Sequence, residues 1–278
     1  MLPAFGYTFR EDDRIELESP AFDAAQIPFD LADNPLRTSR YLGDADFEYV
    51  SVRSRRLSIA GPDLPGANLL AALGEVVFEN GANAISEVVG FSGVVRQGVE
   101  IGGVTPPPFT RAALDATCGN VKFLERRFSG CELYVENAAA LLQFRGTISE
   151  ATFLTRVLKR TGCGWLLNVA NLYANARNHR FNAMEFLARV TPAAARMQIH
   201  VGGGFIESET GLFVPAPRLP IPPEAWSLYR EALRLAGGKV RAVFLEHADE
   251  PAETDSRGVL QTARMIAAEI DPAAAHPA

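Results

Sequence analysis

The sequence predicts an α/β chain folded as a (β/α)8 TIM barrel, and three observations carry that expectation. Eight short apolar or β-rich runs recur along the chain, most of them followed by a loop and a helical pattern. Several of these runs have a near-continuous apolar centre, as strands buried on both faces do. The length, 278 residues, is close to the roughly 250 that one such barrel takes.

In order, the runs place strands over Ala4–Phe9, Ala25–Phe29, Phe47–Val52, Ala84–Val88, Glu132–Glu136, Trp165–Val169, Arg196–Val201 and Arg241–Glu246. The stretch Leu31–Asp46 lacks periodicity and reads mostly as loop. Helices are expected over Ala67–Asn80, after the turn GPDLPG, and over Phe109–Phe128. In Ser149–Thr161, Ser149 suits an N-cap and Glu150 the positive first turn. Phe153, Leu154, Val157 and Leu158 form one apolar stripe there, and Gly162 supplies the stop. Pro223–Leu235 begins on proline and ends before Gly237-Gly238, and Gly258–Glu269 is the last helix. The proline-rich runs Pro106–Pro108 and Val214–Pro223 read as extended loops. With no internal repeat or linker, residues 1–270 are expected to form a single barrel domain and 271–278 a disordered tail.

Composition narrows the function. With 27 basic and 33 acidic side chains the net charge is −6, which argues against nucleic acid as a partner. No apolar run approaches the roughly 20 residues of a membrane span, and MLPAFGYTFRED has neither a basic nor an apolar signal region. A soluble, cytoplasmic protein is therefore expected. Cys118, Cys131 and Cys163 form no CxxC pair, so a zinc ribbon or finger and a disulfide framework are both excluded. Cys163 reads as a small packing residue.

Polar residues at the carboxyl ends of barrel strands build the active site in such folds. Those ends carry Arg10, Arg53, Glu136-Asn137, Asn168 with Asn171, His200, and Glu246-His247. Glu136, His200 and Glu246 each follow apolar residues, in LYVEN, MQIHV and AVFLE. Buried charges need partners, and a metal ion satisfies two carboxylates at once. Two carboxylates and an imidazole, with the amide oxygen of Asn168 as a weak fourth ligand, suit Fe(II), Mn(II) or Zn(II). The plainer alternative is that these groups cap helices and bond one another, and that Arg53 is a solvated arginine rather than a substrate clamp. His247, one residue past its strand, is expected to point outward. The glycines of HVGGGF could cradle a phosphate or simply make room beside His200. No GxSxG elbow or Ser-His-Asp set occurs.

Along its length the chain resembles the multinuclear non-haem iron-dependent oxidative enzymes that mature ribosomal peptides, among them the methanobactin and 3-thiaglutamate maturation enzymes. LYVENAAALLQFRGTISEATFLTRVLKRTGCGWLLNVANLYANARNHRF is similar to that family's Glu-Asn-Pro segment, helix and TGCGLLLDVNNVY-like strand. MQIHVGGG, PIPPEAWSLYREAL and VFLEHADEP resemble its IHLAGH, PVPDPVWxLY and LIERDxxIP segments. Upstream, FGYTFR, LSIAG, AISEVVGF and VTPPPFT follow its opening segments in the same order.

The resemblance implies a xylose-isomerase-like barrel, two or three irons held by histidines and carboxylates, and a role in maturing a precursor peptide. This chain departs from that pattern at several ligands. Arg53 and Val88 stand at two histidine positions, Asn168 at an aspartate, and Pro215 and Pro217 at an Asp-x-His. Glu136, His200, Glu246 and Asn171 are retained. One account keeps one iron, at most two, on Glu136, His200, Glu246 and Asn168 for O2-dependent oxidation of the precursor. Arg53, Asn137, Asn171, Asn178 and Arg10 then face substrate. The other account is a pseudoenzyme without metal, in which Arg53 supplies a fixed cation and the mouth binds a peptide or partner protein. A third, from another class, is a one-metal sugar isomerase or epimerase. The implied partners are a ribosomal precursor peptide, a small leader-recognising protein and a full-ligand paralogue.

Overall fold

The structure, a computed structural model, describes residues 1–8, 22–29, 42, 47–94, 99–142, 144–217, 219–246 and 255–271. In chain order its strands are β1 Ala4–Thr8, β2 Ala24–Pro28, β3 Tyr49–Ser54, β4 Ala84–Val88, β5 Phe91–Val94 and β6 Val99–Thr105. They continue as β7 Glu132–Glu136, β8 Gly164–Asn168, β9 Met197–Val201, β10 Gly204–Ile206, β11 Phe213–Pro215 and β12 Val240–Leu245. The helices are α1 Ala67–Glu79, α2 Arg111–Arg127, α3 Glu150–Thr161, α4 Val169–His179, α5 Ala183–Val190, α6 Pro223–Ala236 and α7 Ser256–Ile270.

Eight strands close into a parallel barrel in the order β1-β12-β9-β8-β7-β4-β3-β2. The first and last strands pair directly, Ala4 against Ala242 and Tyr7 against Leu245, so the ends of the chain make the seam. Outward-facing apolar side chains of the strands pack on the helices. On α3, Ser149 Oγ accepts from the Thr152 N–H, and Phe153, Leu154, Val157 and Leu158 are all buried. Each of those four side chains contributes about 2 kcal/mol of burial.

All eight expected strands are found, shifted by no more than about two residues among the described positions. Two departures alter the mouth. Antiparallel hairpins, β5–β6 and β10–β11, rise from the ends of β4 and β9. The second uses Val214 and Pro215, which had been expected in an extended loop. A Cβ at Gly203 would lie 1.8 Å from the Leu219 carbonyl, so the glycine run lets two backbones pass closely, and a phosphate is not needed to explain it. The second departure is α4, which starts on the residue after β8. Residues 9–21, most of 30–46 and 272–278, and with them Arg10 and most of the expected tail, lie outside the described residues.

Candidate functional site

Alternation along the strands selects what enters the barrel. On β3 it sends Tyr49, Ser51 and Arg53 inward, and on β9 Gln198 and His200. Gln198 Nε2 lies 3.3 Å from Ser51 Oγ although β9 and β3 stand on opposite sides of the ring. At the amino end, Tyr134 and Tyr49 donate their hydroxyls to Glu132, at 2.5 and 3.2 Å, closing the floor.

At the carboxyl end, Arg53, Glu136, Asn168, His200 and Glu246 meet in one cluster. Arg53 lays its guanidinium across both carboxylates. Nε and Nη2 donate to the two oxygens of Glu136 at 2.7 and 2.6 Å, and Nη1 donates to Glu246 Oε1 at 2.7 Å. This is the two-pronged geometry that makes arginine–carboxylate pairs strong. Asn168 Nδ2 adds bonds to Glu136 Oε1 at 3.0 Å and to Glu246 Oε2 at 2.9 Å. Glu136 and His200 are fully buried, and Arg53 is 8% exposed. Arg53 is therefore neither a solvated surface arginine nor free to clamp a substrate with its fork.

His200 is held from behind. Its Nε2 is 2.7 Å from Gln26 Oε1, which also accepts from Thr8 Oγ1 at 2.9 Å. With the Gln26 oxygen presented to it, Nε2 carries the proton and Nδ1 is bare. Nδ1 has no hydrogen-bond partner and stands 4.0 Å from Glu136 Oε1 and 3.9 Å from Glu246 Oε2. Burial first, and then Arg53, push the imidazole down to about 4 against the pull of the carboxylates, so it is neutral at pH 7. Burial alone would raise the Glu246 carboxyl, but Arg53, His200 and Asn168 outweigh it and bring it to about 2. One guanidinium against two carboxylates leaves the cluster one negative charge.

Glu136, His200 and Glu246 each offer a ligand atom within 4.8 Å of the others. The three residues singled out at the strand ends thus stand side by side. The space between the carboxylates, however, holds a guanidinium, which would repel a cation 4 Å away by about 4 kcal/mol per unit of charge at an effective dielectric of about 20. Asn168 adds a second mismatch. Its Oδ1 accepts from the Asn171 N–H at 3.1 Å as the N-cap of α4, so the NH2, not the expected oxygen, faces the carboxylates. With Arg53 in place these residues do not fit a resident metal.

The other asparagines hold backbone. Asn137 pairs both of its amide groups with the Asn168 backbone, and Asn171 Nδ2 donates to the Asn137 carbonyl. Asn178 pairs with both backbone groups of Phe213 on β11, anchoring the hairpin. Arg10 and His247 lie outside the described residues. Cys163 is buried, its thiol pushed up to about 12 by that burial, in keeping with a packing role. Gln26 was missed, although a lone amide in the apolar strand AAQIP, in phase with the inward positions, is the signal that would have found it. A separate cavity of about 730 Å3 lies between Phe109, Phe144, Ile148, Phe181 and Phe186, and Glu150 lines it.

Fold and mouth together define a xylose-isomerase-like barrel. A xylose isomerase-like TIM barrel protein from Mycobacterium smegmatis in complex with magnesium matches with a TM-score of 0.57 at 19% identity, over 98% of this chain and 97% of that one. D-psicose 3-epimerase from Clostridium cellulolyticum H10 matches at 0.59 and 10% identity, over 96% and 99%. The chain belongs to the RiPP precursor modification enzyme MbnB/TglH/ChrH family, whose model matches residues 38–267. It is 35% identical over 163 residues to a UPF0276 protein of Rhizorhabdus wittichii, covering 58% of this chain and 56% of that one. It is 32% identical over 192 residues to one of Bordetella pertussis, covering 68% and 65%. The matched region thus spans somewhat more than half of those relatives. No helix among the described residues is long and apolar enough to cross a membrane.

Proposed function

We propose that this protein is a metal-free member of its family that binds a ribosomally made precursor peptide at the barrel mouth without oxidising it. The observation that carries this reading is the Arg53 guanidinium bonded to Glu136 and Glu246 at 2.6–2.7 Å. A cation that cannot be deprotonated stands between the two carboxylates an ion would need. Family membership supports the peptide, and the guanidinium bonded to both carboxylates argues against iron chemistry between them. In this role the protein works beside a full-ligand paralogue and a small leader-recognising partner, presenting the precursor rather than transforming it. The sugar isomerase account needs the same excluded ion and loses its support.

The test is co-expression with each short cysteine-bearing reading frame near its gene, followed by affinity purification and mass spectrometry, with iron measured on the same samples. The expected result is a co-purified peptide of unchanged mass and a protein with no stoichiometric iron. A peptide that loses hydrogens or gains oxygen, dependent on Glu136 and His200, would overturn the reading.

A further inference from the structure

The cavity at the start of α3 shares no residue with the Arg53 cluster. Phe109, Phe144, Ile148, Phe181 and Phe186 wall it, and Phe144 is still 48% exposed. Its volume, about 730 Å3, lies within the roughly 300–1,000 Å3 that small-molecule sites occupy. Such walls suit the apolar body of a guest, and the charged groups among them decide its head.

Two of those groups are arginines. Arg145 comes from the loop ahead of α3 and Arg189 from the last turn of α5. Both are exposed, and among the described residues neither side chain has a hydrogen bond or an ion pair. The first turn of α3 lines the same space and adds the positive end of a 12-residue helix. Opposing them are Glu150 and Glu185. Glu185 is exposed to water and accepts from Asn182 Nδ2 at 3.1 Å. Glu150 is half-buried, and desolvation lifts its carboxyl to about 7, so near neutrality its charge depends on what stands beside it. His179, the remaining titratable group on the wall, donates from Nε2 to the Ala140 carbonyl at 2.6 Å. Phe109, from the segment ahead of α2, brings no charge. The guanidiniums are permanent and the Glu150 charge is conditional, which favours an anionic head over a cationic one.

We propose that this cavity binds a small free monocarboxylate with an aryl or alkyl body, its carboxylate held by Arg145 and Arg189 and its body by the phenylalanines. Glu150 gates the site by taking up a proton as the anion enters, since two carboxylates side by side cannot both stay charged at low cost. The site stands apart from the barrel mouth, so its failure leaves the metal-free reading untouched, and the reverse holds too.

The probes are 4-phenylbutanoate and decanoate, each beside the amine and the alcohol of the same skeleton. Binding is measured by calorimetry from pH 6 to 8, in buffers of different ionisation enthalpy so that proton uptake is counted. The proteins are wild type, Arg145→Gln, Arg189→Gln, Glu150→Gln and, as a control outside the cavity, Arg126→Gln on α2. At least one acid is expected to bind wild type saturably, one per chain, and more tightly than its amine or alcohol. Each cavity arginine variant is expected to weaken it by about tenfold or more, and Arg126→Gln to leave it unchanged. Wild-type affinity is expected to fall about tenfold from pH 6 to 8, with close to one proton taken up per acid bound at pH 8. Glu150→Gln is expected to bind with neither the fall nor the uptake.

Failure of both acids to bind saturably would overturn the proposal. So would an amine or alcohol that binds as tightly as its acid, or folded arginine variants with wild-type affinity. An affinity that stays level from pH 6 to 8 in wild type, or falls equally in Glu150→Gln, would overturn the proton gate.

Discussion

Arg53, with its two carboxylates, stabilises the folded state only as a closed set. Removing one partner of a buried ion pair typically costs about 3–5 kcal/mol, since the charge left behind stays buried. Protonation probes the same set without mutation. His200 titrates near 4 in the folded chain against an ordinary 6.5, so between those values only the unfolded chain takes up the proton. Stability from His200 therefore falls as pH drops from about 6.5 to 4. Glu246, held near 2 against 4.5, loses its contribution over the next window down. Glu150 works the other way. Desolvation raises its carboxyl to about 7, so it destabilises the fold as pH rises from 4.5 to 7. Urea melts from pH 4 to 8 are expected to show His200→Gln losing the acid-side decline, and Glu150→Gln gaining stability over wild type at pH 8 but not at pH 5. Identical pH profiles for wild type and both variants would contradict these assignments.

At the scale of elements, caps and latches place the mouth. Ser149 caps α3 through the Thr152 N–H, and Asn182 caps α5 through the N–H groups of Met184 and Glu185. Ser149→Ala is expected to lower stability by about 1 kcal/mol in urea melts, with the fold unchanged by circular dichroism. Ser149 and its helix were legible in the sequence because the cap, apolar stripe and terminal glycine agree. The strands were legible too, since burial on both faces writes continuous apolar runs. The junction at Asn168 was not, because β8 passes into α4 with no turn residue between them, and one asparagine both ends the strand and caps the helix. Nor were the hairpins, whose glycines and prolines carry no period. At the site, residue types and strand ends gave Glu136, His200 and Glu246. What they could not give was the direction of the Arg53 side chain, which only the closed ring fixes.

Across the whole molecule, the barrel closes where β1 meets β2 and β12. A Cβ at Gly6 would fall 1.8 Å from the Ala24 carbonyl oxygen, a backbone atom that cannot rotate away. Gly6→Ala is therefore expected to part this seam, read as loss of soluble protein or of a single cooperative melt, while alanine at open Gly119 leaves both intact. Closure also makes the interior one shared space. Glutamine, serine, tyrosine and glutamate fill much of it where branched aliphatic side chains are usual. The guanidinium at its upper end has a consequence for supply. A cation written into the gene is present once in every molecule from synthesis, needs no delivery, has no second oxidation state and cannot be drawn out by a chelator. On the metal-free reading proposed above, such a site keeps one state through iron shortage and iron excess alike.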